Sequence, residues 1–180
     1  MAGTHGENEP LTLRAKLLTL LRLRRDPDGF TPSARDVAEA THQQGPGKPK
    51  LSHGQVNSLL NGTSNNPTSS TVSALARALR APAAFLLPGP EWDDLAALTV
   101  YAKRPEAREA LRLMEGLEVE DILQISTQLR EMRHRAGLAE DVPSIPPPPP
   151  GVDQPREGRP RRRLSFNEAA ARAADDLEGR

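Results

Sequence analysis

The stretch that decides the fold is LSHGQVNSLLNGTSNNPTSSTVSALARAL, residues 51–79. Ser52 has the chemistry of a helix N-cap, and Asn61-Gly62 is a typical helix stop, so the sequence predicts a short helix over 52–60. A polar loop follows, and Pro67-Thr-Ser-Ser opens a second helix. The buried residues that we expect in these two helices are Val56, Leu59, Leu60, Val72, Leu75, Ala76 and Leu79.

If the apolar side of helix 52–60 faces a core, its polar side chains point outward. Gln and Asn can pair bidentately with adenine in the major groove, while His and Ser offer less specific contacts. The candidate base-contacting residues are Ser52, His53, Gln55, Asn57 and Ser58. The candidate phosphate-contacting residues are Ser33, Lys48, Lys50, Asn61, Thr63, Ser64 and Asn65.

Two further helices are predicted upstream of this stretch. Residues 11–25 have leucines at helical spacing, namely Leu11, Leu17, Leu18 and Leu21. Ser33, with Asp36 three residues later, predicts a capped helix over 33–43 whose Ala34, Val37 and Ala38 face inward. The Gly-Pro-Gly-Lys-Pro run at 45–49 must be a loop, because proline and glycine break helices. Together these helices and helix 52–60 have the outline of a helix-turn-helix reader.

A short helix over 82–87 ends the first region, and Pro88-Gly89-Pro90 breaks the chain. Helices are then predicted over 92–102, 105–115 and 119–135. In the last one, apolar residues alternate at spacings of three and four, which is the pattern of a coiled-coil seam. We expect this seam, formed by Ile122, Ile125, Leu129 and Met132, to mediate dimerisation, with an intramolecular core as the alternative.

The organisation predicted from these patterns is an all-α fold. A disordered leader over 1–10 precedes a DNA-binding domain over 11–88, and a helical dimerisation domain spans 91–137. A Pro-rich and basic linker follows over 138–164, with five consecutive prolines and an Arg run at 159–163. The Arg run is either a solvated tail or a tail that contacts DNA. A possible short helix over 165–178 ends the chain.

Charge is distributed unevenly, although the chain is neutral overall. Residues 1–90 carry 10 Lys and Arg against 6 Asp and Glu, whereas residues 91–142 carry 7 against 12. The two regions are therefore expected to meet different partners. The chain has no cysteine, so disulfides and thiolate chemistry are excluded.

No residues form a catalytic constellation, and His53 has no second metal ligand at a suitable spacing. We therefore expect neither an enzyme, a metal nor a cofactor. Residues 11–23 are interrupted by Arg14, Lys16 and Arg22, so they predict neither a signal peptide nor a membrane span. The expected location is the cytoplasm and its nucleoid, without membrane contact.

The motifs Ser33-Ala-Arg-Asp-Val-Ala, residues 51–62, Asn66-Pro-Thr and residues 72–79 resemble the Cro/cI-type (XRE-like) helix-turn-helix DNA-binding regulators. The resemblance spans residues 11–87, and the long turn with its Asn-Gly and Asn-Pro ending is most similar to the mycobacterial EspR-type nucleoid-associated regulators. It implies a five-helix DNA-binding domain followed by a C-terminal dimerisation region. The implied function is that of a sequence-selective transcriptional regulator that binds double-stranded DNA as a homodimer.

Three features of the sequence motivate a rival function. Ala34 replaces the Gln common at that position of the family, helix 52–60 contains no Arg or Lys, and residues 91–142 are acidic. The turn before Ser52 is also longer than usual in the family. One domain should thus bind DNA weakly, and a dimer should be needed. The alternatives are a protein-interaction adaptor that acts on the transcription machinery through the acidic helices or the tail, and an antitoxin-like repressor.

Overall fold

The structure, a computed structural model, describes residues 10–26 and 29–149. These residues form helices and turns without strands, which confirms the all-α fold class for the described part of the chain. The predictions for the leader at 1–9, the linker at 150–164 and the helix at 165–178 lie outside the described residues. The helices are α1 (Leu13–Leu23), α2 (Ala34–His42), α3 (His53–Asn61), α4 (Ser69–Ala78), α5 (Leu95–Lys103), α6 (Pro105–Leu113) and α7 (Val119–Arg135), with 3₁₀ turns at Ala83–Leu86 and Pro90–Trp92.

Local capping explains where the first four helices begin. Ser33 forms a reciprocal capping box with Asp36, and Ser52 forms another with Gln55, so both predicted N-caps are confirmed. Thr12 and Thr68 cap α1 and α4 in the same way through their hydroxyl oxygens. Each cap satisfies backbone amides that a helix start leaves without an intrahelical acceptor.

The core lies between α1, α2, α3, α4 and the first 3₁₀ turn. The predicted stripe of α4 is buried as expected, and Val56 and Leu59 anchor α3. The predicted helix α1 is confirmed, and of its leucines Leu17, Leu20 and Leu21 are buried whereas Leu18 is 39% exposed. The buried apolar side chains are Leu17, Leu20, Leu21, Val37, Ala38, Leu51, Val56, Leu59, Val72, Ala74, Leu75, Ala76, Leu79, Phe85, Leu86 and Leu95.

A fully buried lysine closes this core. The Lys16 side chain has no exposed surface, and its ammonium donates to the Leu87 carbonyl at 2.7 Å and pairs with Asp93 Oδ1 at 2.5 Å. The ammonium also lies 5.6 Å from the Phe85 ring centroid, and Asp93 Oδ2 accepts from the Leu11 amide at 2.8 Å. Asp93 therefore fixes the start of α1 and connects it to the segment that follows the 88–90 break.

The helices after the break are built differently. Leu95 is buried against the core, but α6 and α7 contain no buried residue. After α7 the chain turns back, and the Ser144 carbonyl accepts from the Ala96 amide at 2.9 Å. No helix in the described ranges is long and apolar enough to cross a membrane.

Replacement of Asp93 by Asn should strongly destabilise the protein, because the buried Lys16 ammonium would lose its counter-ion. Removing one partner of a buried pair typically costs about 3–5 kcal/mol, and urea unfolding at neutral pH will measure the loss. Asp94→Asn is the matched control, since Asn also caps helices and Asp94 accepts only from the Ala97 amide of α5. Equal stabilities of the two variants would contradict the role given to Asp93.

The same carboxylate should make stability depend on pH. Burial on its own would raise the pKa of Asp93, but hydrogen bonds from Lys16 and the Leu11 amide, with the Lys16 charge, lower it below its ordinary value. A lowered native pKa means that the unfolded state binds more protons, so stability is complete above about pH 4 and is lost as the pH falls through the native value. Acid unfolding of Asp93→Asn should consequently be less steep than that of the wild type.

Arg80 occupies a backbone conformation that favours glycine. It has φ = 44° and follows the C-cap of α4, where the Ala81 amide donates to the Ala76 carbonyl in a Schellman motif. Its charge also acts with burial to lower the pKa of Arg24. Arg80→Gly should thus raise the free energy of unfolding by about 0.5–1 kcal/mol relative to Arg80→Ala, which removes the charge but keeps the strained φ. Equal urea midpoints of Arg80→Gly and Arg80→Ala would show that the positive φ at residue 80 does not lower the stability.

Candidate nucleic-acid interface

The start of α3 is clamped to α2, although a long loop separates the two helices. The Thr41 hydroxyl donates to the Ala38 carbonyl at 2.7 Å and accepts from the buried Leu51 amide at 3.0 Å. His42 Nε2 lies 3.1 Å from the Leu51 carbonyl. Both polar groups of Leu51 are thereby satisfied next to the end of α2. The long turn therefore leaves the position of α3 fixed.

The C-terminal end of α3 is fixed as firmly. Gly62 has φ = 76°, and the Gly62 and Thr63 amides donate to the Leu59 and Ser58 carbonyls, which is a Schellman motif. A Cβ at position 62 would also lie 3.3 Å from Cδ of Arg14. The predicted Asn-Gly stop is confirmed, and α3 is a short rigid helix held at both ends.

The outward side of α3 is polar. Ser52, His53, Gln55 and Asn57 are exposed, and Ser58 is half-buried. Because residues 53 and 57 are one helical turn apart, their side chains lie on one face of the helix. Four of the five candidate base-contacting residues are thus accessible: His53 and Asn57 on one side of α3, Gln55 in its first turn and Ser52 at its cap.

Gln55 has a structural task as well. Its Oε1 accepts from the Ser52 amide at 2.9 Å, while its own amide donates to the Ser52 hydroxyl oxygen at 3.2 Å. A bidentate pair with adenine would need both the oxygen and the nitrogen of the side-chain amide. Gln55 could form that pair only by giving up half of the capping box, whereas Asn57 has no such commitment among the described residues.

The candidate phosphate contacts fall into two groups. Lys48, Lys50, Asn61 and Asn65 are exposed and accessible to an anion. The Thr63 hydroxyl donates to the Ser58 carbonyl at 3.0 Å, and the amides of Thr63 and of half-buried Ser64 donate to the same oxygen. The Thr63 hydroxyl and the amides of Thr63 and Ser64 therefore stabilise the end of α3, and a phosphate would have to compete for these donors.

Ser33 lies at the start of α2, beside a carboxylate. Its hydroxyl and its amide both donate to Asp36 Oδ2 at 2.7 Å. These two hydrogen bonds lower the pKa of Asp36, so the group is ionised at neutral pH. A phosphate at Ser33 would have to approach that negative charge, which makes Ser33 the least suitable of the candidate phosphate contacts.

Arg14 was not among the residues predicted from the sequence. Its Nε donates to the Leu60 carbonyl at 3.0 Å, so a basic side chain from α1 lies at the C-terminal end of α3. The contact joins residues 46 positions apart, and no local sequence signal indicates it. The signal that the sequence did offer was one of charge: no Asp or Glu occurs between Glu39 and Glu91.

The predicted dimerisation residues lie on α7. Ile122 and Ile125 are half-buried, while Leu129 is 51% and Met132 56% exposed. α7 contributes no residue to the core, so the seam residues remain a surface feature of the single chain.

Comparison with known proteins yields no match to any protein-family model, and no curated sequence is significantly similar to the chain.

Proposed function

We propose that the protein is a sequence-selective DNA-binding transcriptional regulator that inserts α3 into the major groove. The observation that carries the proposal is the exposed polar surface of α3, a helix fixed at both ends, where His53 and Asn57 share one face and Gln55 is exposed in the first turn. A helix of nine residues is about 14 Å long, and the major groove is wide enough to admit it. Rigid placement of such side chains is what base-edge recognition requires.

Electrostatics support the same surface. Residues 40–90 contain Lys48, Lys50, Arg77 and Arg80 but no acidic residue, so α3 and the loops on both sides of it carry no negative charge of their own. The positive charge is nevertheless small, and α3 itself contains no Lys or Arg. Affinity from counter-ion release should therefore be modest for one domain.

A homodimer would compensate for this weak single contact. Two tethered domains convert the second binding event into an intramolecular one, which can raise the overall affinity by about 10²–10⁴. The seam residues of α7 supply a surface for dimerisation, because Leu129 and Met132 are exposed in the single chain. In this proposal the dimer also sets the separation of the two half-sites on DNA.

Asn57→Ala should weaken binding to a selected DNA site by about 1–3 kcal/mol, while binding to random duplex changes little. Gln55→Glu should also weaken specific binding, and it keeps the capping box because Glu is a preferred residue at that helix position. Fluorescence anisotropy with labelled duplexes at a fixed salt concentration will measure both losses.

Two controls separate base reading from other effects. Gln124→Ala removes an exposed amide from α7 and should leave DNA binding unchanged. Lys50→Ala should weaken binding to selected and random duplexes equally, with a salt slope lower by about one unit. If Asn57→Ala behaves like Lys50→Ala, the residue does not read bases.

Gly54→Ala tests whether the α3 backbone at residue 54 lies close to bound DNA. A Cβ at position 54 meets only the Ser52 Oγ, at 4.0 Å, so alanine fits and should stabilise α3 by up to about 1 kcal/mol. If the α3 backbone packs against DNA, the same methyl group should reduce the affinity for a selected site about tenfold or more. A stabilised variant with unchanged affinity would contradict close approach at Gly54.

A second candidate function is a protein-interaction adaptor that keeps this fold but does not read DNA. The observation that favours it is the exposed apolar surface of α6 and α7, which could contact another protein. Absence of DNA binding by the wild-type chain, at low salt and with random duplex, would favour the adaptor.

A further inference from the structure

Exposed apolar side chains are concentrated in the C-terminal helices. Among the described residues, eleven of the fourteen exposed large hydrophobic residues lie between Val100 and Val142. Soluble monomers rarely leave such surface uncovered over a continuous area. The helix with the longest apolar stripe, α7, contains no buried residue. A partner would cover this apolar side of α7.

The two ends of α7 carry opposite charges. Its first turn contains Glu120 and Asp121, and its last turn contains Arg133, His134 and Arg135. This order also complements the helix dipole and, by itself, requires no partner. The positions of two of these charges relative to the seam are more informative. If Ile122 and Leu129 occupy heptad positions a, and Ile125 and Met132 positions d, then Asp121 and Arg135 both fall at position g.

We propose that the partner is a second copy of the chain and that two α7 helices pair antiparallel about a twofold axis. This inference rests on the dimer of the proposed function and specifies its architecture. In the antiparallel register Ile122 packs against Met132 of the partner, and Ile125 against the partner's Leu129. Asp121 then faces the partner's Arg135, and the twofold axis generates this ion pair twice.

The parallel register lacks these pairings. There, position g of one helix faces position e of the other, so Asp121 would face Ser126 and Gln128 would face Arg133. It would also bring the two acidic ends together and the two basic ends together, which is repulsive. In the described part of the chain, Asp121 and Arg135 are exposed and have no ion-pair partner, so both are available for pairing between copies.

Charge exchange in the full-length chain tests the register. Asp121→Arg places two Arg residues face to face at both ends and should raise the dimerisation Kd about tenfold at low salt. The double variant Asp121→Arg/Arg135→Asp restores opposite charges and should recover most of the affinity. Glu120→Arg is the matched control, because it makes the same charge change at position f, which points away from the seam. Sedimentation equilibrium will measure the Kd values of the wild type and of the three variants.

Distances between spin labels provide a second readout, since the chain has no cysteine of its own. Glu120→Cys and Thr127→Cys both place a label at position f. In the antiparallel dimer, residue 127 lies level with its copy, whereas residue 120 lies about 21 Å along the axis from its copy. A parallel dimer would give the same distance for both labels.

The outcomes separate this inference from the DNA-binding proposal. Rescue by the double variant, together with a longer 120–120 than 127–127 distance, is the expected result. A dimer that is no more sensitive to Asp121→Arg than to Glu120→Arg, or that gives equal distances, would overturn the antiparallel register but keep the dimer. A monomeric wild type would overturn the pairing itself, while DNA binding through α3 would still be measured by the Asn57→Ala comparison.

Discussion

The buried ion pair between Lys16 and Asp93 is the constraint on which the N-terminal fold depends. An ammonium without exposed surface is tolerated only if a carboxylate and a carbonyl reach it, so the chain must close around α1 before Lys16 can be buried. Asp93 meets this demand from 77 positions away and holds the Leu11 amide as well. α1 is thereby fixed at its start, and α1 in turn supports the end of α3 through the bond from Arg14 to the Leu60 carbonyl. The orientation of the candidate DNA-reading helix therefore rests on an interaction far from its exposed face.

Apolar side chains are buried in the N-terminal part of the described chain and exposed in its C-terminal helices. Around α3, apolar residues are internal, and the surface is polar and free of carboxylates over residues 40–90. In α6 and α7, apolar residues remain on the surface, while the first turn of α7 is acidic and its last turn is basic. The first arrangement suits a charged, hydrated partner such as DNA, and the second suits another helix of matching length and complementary charge. The small positive charge around α3 and the exposed apolar surface of α7 are consistent with each other, because dimerisation would supply the affinity for DNA that one α3 lacks.

Features that depend on neighbours in sequence could be predicted, and features that depend on distant partners could not. The N-caps at Ser33 and Ser52, the stop at Gly62 and the bounds of α7 each depend on a few adjacent residues, and the structure confirms them. The burial of Lys16 could not be predicted, because its partners Leu87 and Asp93 lie far along the chain. That Leu20 is buried and Leu18 is exposed could not be predicted either, since leucine spacing alone does not reveal which side of α1 meets α3. At the candidate site, exposure of His53 and Asn57 follows from helical periodicity, whereas the placement of Arg14 and the engagement of Gln55 in its cap required the structure.

The measurement that tests the central claim most directly is selection of bound duplexes from a random DNA pool, followed by sequencing, with the wild-type chain and Asn57→Ala in parallel. If α3 reads the major groove, the wild type should enrich a shared motif, which a dimer would repeat as two half-sites, and Asn57→Ala should lose preference at defined base pairs within it. Recovery of the same motif by both proteins, or of no motif by the wild type, would contradict sequence reading by this face of α3.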